Sequence, residues 1–139
     1  MSQPDAQLWK QVKEALQHQN YFLTRIETLT VSGVPDVFGC YRGQSFWLEL
    51  KSNQVNYPTL NKYQIVWINK AIKHGLNVLI LHRAQKQKTL KIYRPLTFFT
   101  DPRSLIPVFI CKIPVRWPLF VDHFTRAVLT DLKNLNTDQ

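Results

Sequence analysis

Acidic residues and cysteines are both scarce in this chain of 139 residues. Only 9 side chains are Asp or Glu, against 18 Lys and Arg, so the formal net charge is +9. The two cysteines, Cys40 and Cys111, lie far apart and have no CxxC pair or matching His spacing around them. This spacing argues against both a zinc site and a disulfide framework, and we expect two reduced thiols.

Long apolar segments are also missing. No run approaches the roughly 20 residues that span a bilayer, and residues 1–16 lack the basic start and apolar core of a signal peptide. These absences favour the cytoplasm, either of a bacterium or of a phage-infected host. A hydrophobic content of 45% argues against disorder. The length predicts a single domain over 1–139, with a core at about 5–94 and a Pro-rich segment and helix at 95–139.

The excess of basic residues suits a polyanionic partner. A pI near 9.8 is typical of proteins that bind nucleic acid. A membrane-surface protein would need a basic amphipathic helix, and none is found in the sequence. We therefore expect DNA as the partner and no membrane, although charge alone does not separate cutting from binding.

The hydrophobic pattern predicts alternating helices and strands. In chain order the predicted elements are a helix over Asp5–Gln19 with Asp5 as N-cap, a strand over Tyr21–Val31, strands over Asp36–Tyr41 and Gln44–Lys51, a helix over about Thr59–His74 stopped by Gly75, strands over Asn77–His82 and Thr89–Arg94, an edge strand over Val108–Ile113, and a helix over Pro118–Leu132. This order indicates an α/β fold with a central mixed β-sheet flanked by helices.

The central hairpin carries the candidate chemistry. A two-residue turn at Arg42-Gly43 would place Asp36 directly across from Glu49 on the neighbouring strand. Opposed like charges destabilise a strand pair unless a cation or a proton lies between them. Lys51 follows Glu49 by two residues and should therefore project from the same face.

Two carboxylates and a lysine on one face suit a divalent cation. Mg²⁺ takes few carboxylates, keeps several waters and contacts phosphate directly, and Mn²⁺ is a plausible substitute. We expect Asp36, Glu49 and the Leu50 carbonyl as ligands, with Lys51 orienting the attacking water or offsetting charge on the phosphate. The implied reaction is phosphodiester hydrolysis.

These residues resemble the core of the PD-(D/E)XK nuclease superfamily. Pro35-Asp36 is followed after twelve residues by Glu49-Leu50-Lys51, in the segment SGVPDVFGCYRGQSFWLELK. Within that superfamily the chain is most similar to the VRR-NUC and phage endonuclease group and to archaeal-type Holliday junction resolvases, whose glycine-led entry to the aspartate resembles Gly33 to Asp36. The resemblance implies a restriction-endonuclease-like fold and a Mg²⁺-dependent endodeoxyribonuclease that acts as a homodimer on structured or branched DNA.

The resemblance also suggests auxiliary residues. Glu14 matches a helix-borne acid of relatives, but it points away from the apolar stripe of its helix, so a solvated position is expected. Glu27, in Arg25-Ile26-Glu27, resembles an R-x-E element and is the preferred auxiliary acid. Gln64 matches a glutamine on the helix after the lysine, and it should either reach the site or bind backbone.

Basic and polar side chains near the motif are candidates for DNA contacts. Such contacts confer affinity and salt dependence but read no sequence. The candidates are Arg25, Ser32, Lys62, Arg83, Lys86 and Lys88, with Lys70, Lys73, Lys91 and Arg94 as further basic residues of the same clusters.

Two other functions remain open at this point. One is a site-specific endonuclease of the homing or restriction kind, with extra recognition surface after Pro95. The other is a basic nucleic-acid-binding module without catalytic activity, against which the presence of Asp36, Glu49 and Lys51 argues.

Overall fold

The computed structural model describes residues 3–27 and 30–130, which build a six-stranded sheet and three helices. The elements are α1 (Gln3–Gln17), β1 (Phe22–Arg25), β2 (Val37–Tyr41), β3 (Gln44–Asn53), α2 (Lys62–Lys73), β4 (Val78–Ala84), β5 (Thr89–Tyr93), a 3₁₀ turn (Pro102–Ser104), β6 (Phe109–Lys112) and α3 (Trp117–Leu129). Within these ranges, no helix is both long and apolar enough to cross a membrane.

The sheet is mixed, as the element order predicts. Its strands lie in the order β1-β2-β3-β4-β5-β6. Every neighbouring pair is antiparallel except β3 and β4, which are parallel. A parallel pair needs a crossover connection, and α2 lies within it. The predicted α/β class and flanking helices are therefore confirmed.

Each face of the sheet has its own apolar core. One core joins the sheet to α1 and α3 through residues such as Leu8, Leu48 and Phe124. The other joins it to α2 through residues such as Ile68 and Ile80. Because side chains alternate along a strand, the positions of β3 that do not face α1 and α3 face α2.

The hairpin between β2 and β3 has the predicted register. Arg42 and Gly43 both have positive φ, at 49° and 81°, which is the conformation of a type I′ turn that matches the twist of the strands. Tyr41 pairs with Gln44, and the ladder continues to the pair Val37 and Leu48. The next opposed positions are 36 and 49, so the two acids face each other across the strand pair.

The strand predicted over Tyr21–Val31 is too long, because β1 ends at Arg25. Arg25 pairs with Val37, the first residue of β2. Two residues before β2 lies Pro35, which has no N–H to donate to a ladder. The partner strand therefore stops, and β1 stops with it.

Two predicted helix starts are wrong. α1 begins at Gln3, so Asp5 lies in its first turn and is not its N-cap. α2 begins at Lys62 and not at Thr59, because the Asn61 side chain accepts a hydrogen bond from the Gln64 N–H at 3.0 Å. The Gln64 side chain in turn accepts one from the Asn61 N–H at 3.0 Å, which completes a capping box.

The remaining predicted bounds differ from the observed ones by at most three residues. β3 and β4 each extend two residues beyond their predicted ends, β6 is one residue shorter at each end than the predicted edge strand, and α3 begins one residue before its predicted start. Gly75 follows α2 with φ of 79°, in agreement with its expected role as a stop. Residues 131 and 132 of the last predicted helix lie outside the described residues.

Gly33 brings the loop before β2 against the start of α2. Its φ is +86°, and a Cβ at this position would lie 2.3 Å from the Tyr63 carbonyl oxygen and 2.9 Å from the Gln64 nitrogen. Those neighbours are backbone atoms, which cannot move aside as the end of a side chain can. Only glycine therefore permits this approach, which holds the segment leading to Asp36 against α2.

We expect Gly33→Ala to destabilise the protein more than Gly75→Ala. Both glycines have positive φ, so both substitutions carry a conformational cost of about 1 kcal/mol. A Cβ at Gly75 would meet no atom within 4 Å, whereas at Gly33 it would collide with backbone. Thermal unfolding of the two variants measures the difference. Equal decreases in melting temperature would contradict the importance of this close approach.

Candidate active site

Asp36 and Glu49 meet at the start of β2 and the middle of β3. The Asp36 Oδ2 accepts a hydrogen bond from the Leu50 N–H at 2.8 Å, which fixes the aspartate side chain against β3. Glu49 is 2% exposed, and Asp36 lies close enough to raise the pKa of the Glu49 carboxyl. The two acids that the register was expected to bring together are therefore neighbours.

Burial is the largest cause of the raised pKa values of these two carboxyl groups. The pKa of Glu49 is raised to about 8, chiefly by burial and next by the charge of Asp36, while the charge of Lys51 lowers it. Burial also raises the pKa of Asp36, against the Leu50 N–H and the Lys51 ammonium, which lower it. A carboxylate at position 49 is thus costly unless a positive charge offsets it.

Lys51 and Gln64 both contact the same oxygen of Glu49. The Lys51 Nζ lies 3.7 Å from the Glu49 Oε1, and the Gln64 Nε2 donates a hydrogen bond to it at 3.0 Å. Gln64 therefore fulfils both of its predicted alternatives, since it reaches the acids and also caps the backbone of α2. Among the described residues, no N–H or O–H group donates a hydrogen bond to the other oxygen, Glu49 Oε2.

The donor set fits a small, hard cation. A buried carboxylate oxygen without a donor is costly, and here it lies next to a second carboxylate. Over residues 3–27 and 30–130, no group of three or more His, Cys, Asp or Glu side chains converges as a metal site. Mg²⁺ suits a sparse set because it keeps several waters and uses one or two carboxylates.

A cleft of about 510 Å³ opens beside Asp36. Arg25, Glu27 and Ser32, all predicted site residues, line this cleft. The Arg25 Nη2 and the Glu27 Oε1 form an ion pair of 3.5 Å, in which the Glu27 side chain is 76% exposed. Glu27 is therefore at the same cleft as Asp36, in a solvated position.

Asp5 is an acid of the site that the sequence interpretation missed. Its Oδ1 accepts a hydrogen bond from the Ser52 N–H at 2.6 Å, next to Lys51. Its charge contributes to raising the pKa of both Asp36 and Glu49. The only signal in the sequence was an acid in the first turn of an amphipathic helix, which normally indicates capping.

Glu14 lies elsewhere, as its helical position predicted. It is exposed and lines a surface groove beside His18 and Trp117, between α1 and α3. Glu14 follows Asp5 by nine positions, and at 100° per residue the two side chains lie about 180° apart around the helix axis. The two acids of α1 therefore face opposite sides of the helix.

The polar loop after β3 is held by buried side chains of β4 and β5. His82 pairs with Lys51 across the parallel strands and is fully buried, and its Nε2 lies 2.8 Å from the Asn53 Oδ1. Burial, with the charge of Lys91, lowers the pKa of His82 to about 4, so it is neutral near pH 7. Lys91 bonds Asn56 in the same loop.

The basic residues expected at DNA divide into buried and exposed groups. Lys91 is 6% exposed, so the expectation of a phosphate contact there is wrong. Arg94 donates to the carbonyls of Ala127 and Thr130 at 2.9 and 2.8 Å, where it ties β5 to α3.

Arg83 also bonds within the protein. Its guanidinium donates to Ser52 Oγ at 2.9 Å and to the Pro4 carbonyl at 3.0 Å. Lys86 and Lys88 are exposed in the turn between β4 and β5, and Lys62 is exposed at the start of α2. DNA contacts by these four residues stay a prediction.

We expect the contribution of Glu49 to the stability of the protein to fall as pH rises through the pKa range of this carboxyl. The unfolded carboxyl releases its proton near 4.5 and the folded one near 8. Between these values the folded state holds a proton at Glu49 that the unfolded state has released, so the contribution of this group to the free energy of unfolding decreases with pH. Glu49→Gln should therefore be more stable than the wild type by a few kcal/mol at about pH 9, and the gap should narrow at about pH 5.

Thermal unfolding with a chelator present measures this pH dependence. Glu14→Gln, which removes an exposed acid of α1, serves as the matched control and should follow the wild type. A Glu49→Gln curve that runs parallel to that of the wild type between these pH values would contradict the assignment.

Comparison with known proteins gives matches in structure but not in sequence. No protein-family model matches the chain, and no curated protein matches it either. Among solved structures, the Holliday junction resolvase Hjc of Archaeoglobus fulgidus matches with a TM-score of 0.53 at 14% identity. The match covers 91% of this chain and 99% of the Hjc chain.

A second solved structure, SSO0001, is matched over 94% of this chain and 63% of its own length. Its identity is 13% and its TM-score 0.29, so it carries no conclusion. The likeness to Hjc at 14% identity concerns the fold. The mixed sheet of this chain, with helices on both faces, is thus a restriction-endonuclease-like fold shared with an archaeal Holliday junction resolvase.

Proposed function

We propose that this protein is a metal-dependent DNA endonuclease that hydrolyses phosphodiester bonds in structured or branched DNA. The observation that carries the proposal is the convergence of Asp36 and Glu49, both raised in pKa by burial, beside the ammonium of Lys51. Two acids held together in this way are costly for folding and useful for binding a cation. The fold that the chain shares with a Holliday junction resolvase supports the choice of branched DNA.

Mg²⁺ is the proposed cofactor, and Mn²⁺ could replace it. Asp36, Glu49 and the Leu50 carbonyl would hold the ion, which supplies Lewis acidity toward the scissile phosphate. Lys51 would orient the attacking water or neutralise charge that develops on the phosphate. Gln64 holds Glu49 Oε1 in place by its hydrogen bond.

A homodimer is part of the proposal. One such site cuts one strand, and a duplex or a junction has strands of opposite polarity, which a twofold arrangement of two copies would serve. Light scattering of the purified protein alone and with DNA tests this directly.

We expect purified wild-type protein to cleave a four-way DNA junction in Mg²⁺ and not in chelator. A supercoiled plasmid is the parallel substrate. Discrete plasmid fragments would favour a site-specific endonuclease of the homing or restriction kind. Binding of both DNAs without any cleavage would contradict the proposal and favour a non-catalytic binding module.

Asp36→Ala should abolish cleavage and leave DNA binding largely intact, because the substitution removes a proposed metal ligand and no basic residue. Asp122→Ala is the matched control, since Asp122 pairs with Arg126 at 3.1 Å on the exposed side of α3. Cleavage rates and binding of the same junction measure both effects. Retained turnover in Asp36→Ala would refute the assigned role.

The auxiliary acid can be identified by a matched series, Asp5→Asn, Glu27→Gln and Glu14→Gln. We expect the largest decrease in cleavage, about tenfold or more, from Asp5→Asn, because the charge of Asp5 acts on both central acids. Glu27 is solvated and paired with Arg25, so its removal should matter less. Glu14→Gln should behave as the wild type. A larger effect of Glu27→Gln would restore Glu27 as the auxiliary acid.

A further inference from the structure

A second surface feature lies along the exposed side of α2. It is a groove of about 490 Å³ whose walls are mainly apolar and whose rim is basic. The residues used below are Lys62, Val66, Lys70, Lys73 and Phe98.

Phe98 stays on the surface because the backbone of the next residue, Phe99, is hydrogen-bonded to α2. The Asn69 side chain donates to the Phe99 carbonyl at 2.7 Å and accepts from the Phe99 N–H at 3.1 Å. Phe99 is 6% exposed and packs into the core beside α2. Phe98 is consequently turned outward and is 75% exposed, next to Val66, which is 58% exposed. A fixed backbone thus presents an aromatic ring to the solvent.

The charges around the groove favour an anionic occupant. Lys62, Lys70 and Lys73 contribute three positive charges, and no residue that lines the groove is acidic. Asp101 follows the lining segment, but its charge is matched by Arg103 at 2.8 Å. A second copy docked through the same groove would set these lysines against their own counterparts, which is unfavourable.

The groove and the cleft beside Asp36 are lined by neighbouring residues at the start of α2. Lys62 lines the groove and Tyr63 lines the cleft, and the Lys62 Nζ lies 5.2 Å from the centre of the Tyr63 ring. From Lys62 to Lys73 the helix rises by about 17 Å. The groove therefore extends along α2, and its Lys62 end is the one nearest to the cleft residue Tyr63.

We propose that this groove binds an unpaired DNA strand that runs to or from the cleaved bond. A base would stack on Phe98, and phosphates would lie near Lys62, Lys70 and Lys73. A paired duplex hides the faces of its bases and presents phosphates, which would be dehydrated against an apolar wall. The inference rests on the proposed nuclease function, and it predicts that, among structured DNAs, the protein prefers those with an unpaired segment beside the cut.

Fluorescence anisotropy in chelator tests the inference with two labelled probes, a blunt duplex and the same duplex with a single-stranded extension. Phe98→Ala should weaken binding of the extended probe by about 5- to 100-fold, because it removes the stacking of one base. Binding of the blunt duplex should change by less than about twofold. Phe98→Trp should retain the affinity of the wild type for the extended probe.

Two control variants separate this effect from general changes of the surface. Ile106→Ala removes an apolar side chain that is 82% exposed outside the groove, and it should leave both affinities unchanged. The double variant Lys70→Gln/Lys73→Gln should make the affinity for the extended probe less dependent on salt, with the logarithmic slope reduced by about one for each phosphate that these lysines neutralise. Lys10→Gln/Lys13→Gln on α1 is its control. If circular dichroism shows that Phe98→Ala is unfolded, the salt dependence of the lysine variants tests the inference instead. An unchanged slope for Lys70→Gln/Lys73→Gln would then contradict it.

Several outcomes would overturn the inference. These are equal weakening of binding for both probes, unchanged binding with Phe98→Ala, or a wild type that binds neither probe. A shift from dimer to monomer in Phe98→Ala would identify the groove as an interface between copies instead. Cleavage by the wild type in Mg²⁺ is measured separately, so a protein that binds the extended probe through Phe98 and cuts nothing would refute the nuclease function alone.

Discussion

The repulsion between Asp36 and Glu49 is the constraint around which the site is organised. The hairpin register sets the two carboxyl groups opposite each other, and burial makes their ionisation costly. The surrounding contacts offset part of that cost. The Leu50 N–H donates a hydrogen bond to Asp36, while Lys51 forms an ion pair with Glu49 and Gln64 donates a hydrogen bond to it. One oxygen of Glu49 has no donor among the described residues. A proton on Glu49, or the proposed cation, would balance this arrangement.

The two layers of helices serve the site in different ways. On the side of α2, the capping box that starts the helix also supplies the amide that bonds Glu49, so helix formation and site formation share one residue, Gln64. On the side of α1, Asp5 accepts a hydrogen bond from the Ser52 N–H, and its negative charge raises the pKa of Glu49. Arg83 ties the same end of β3 to the beginning of α1.

Local sequence patterns predicted the parts of this structure that depend on local geometry. The two-residue turn and the alternation of side chains were enough to place Asp36 opposite Glu49, because register follows from turn length and period. The role of Asp5 was not predictable in this way, since it depends on where α1 packs on the sheet. Lys91 was expected on the surface, and its burial depends on Asn56, which lies in a loop 35 residues earlier.

The sequence separation of these contacts also orders the assembly of the site. The bond that joins Asp36 to β3 spans 14 residues and closes with a hairpin, a structure that forms within about 1–10 μs in isolation. The bond between Asp5 and Ser52 spans 47 residues and requires α1 to dock. The acid pair is therefore a module of about twenty consecutive residues, and the elements around it could diverge through evolution without separating the two carboxylates.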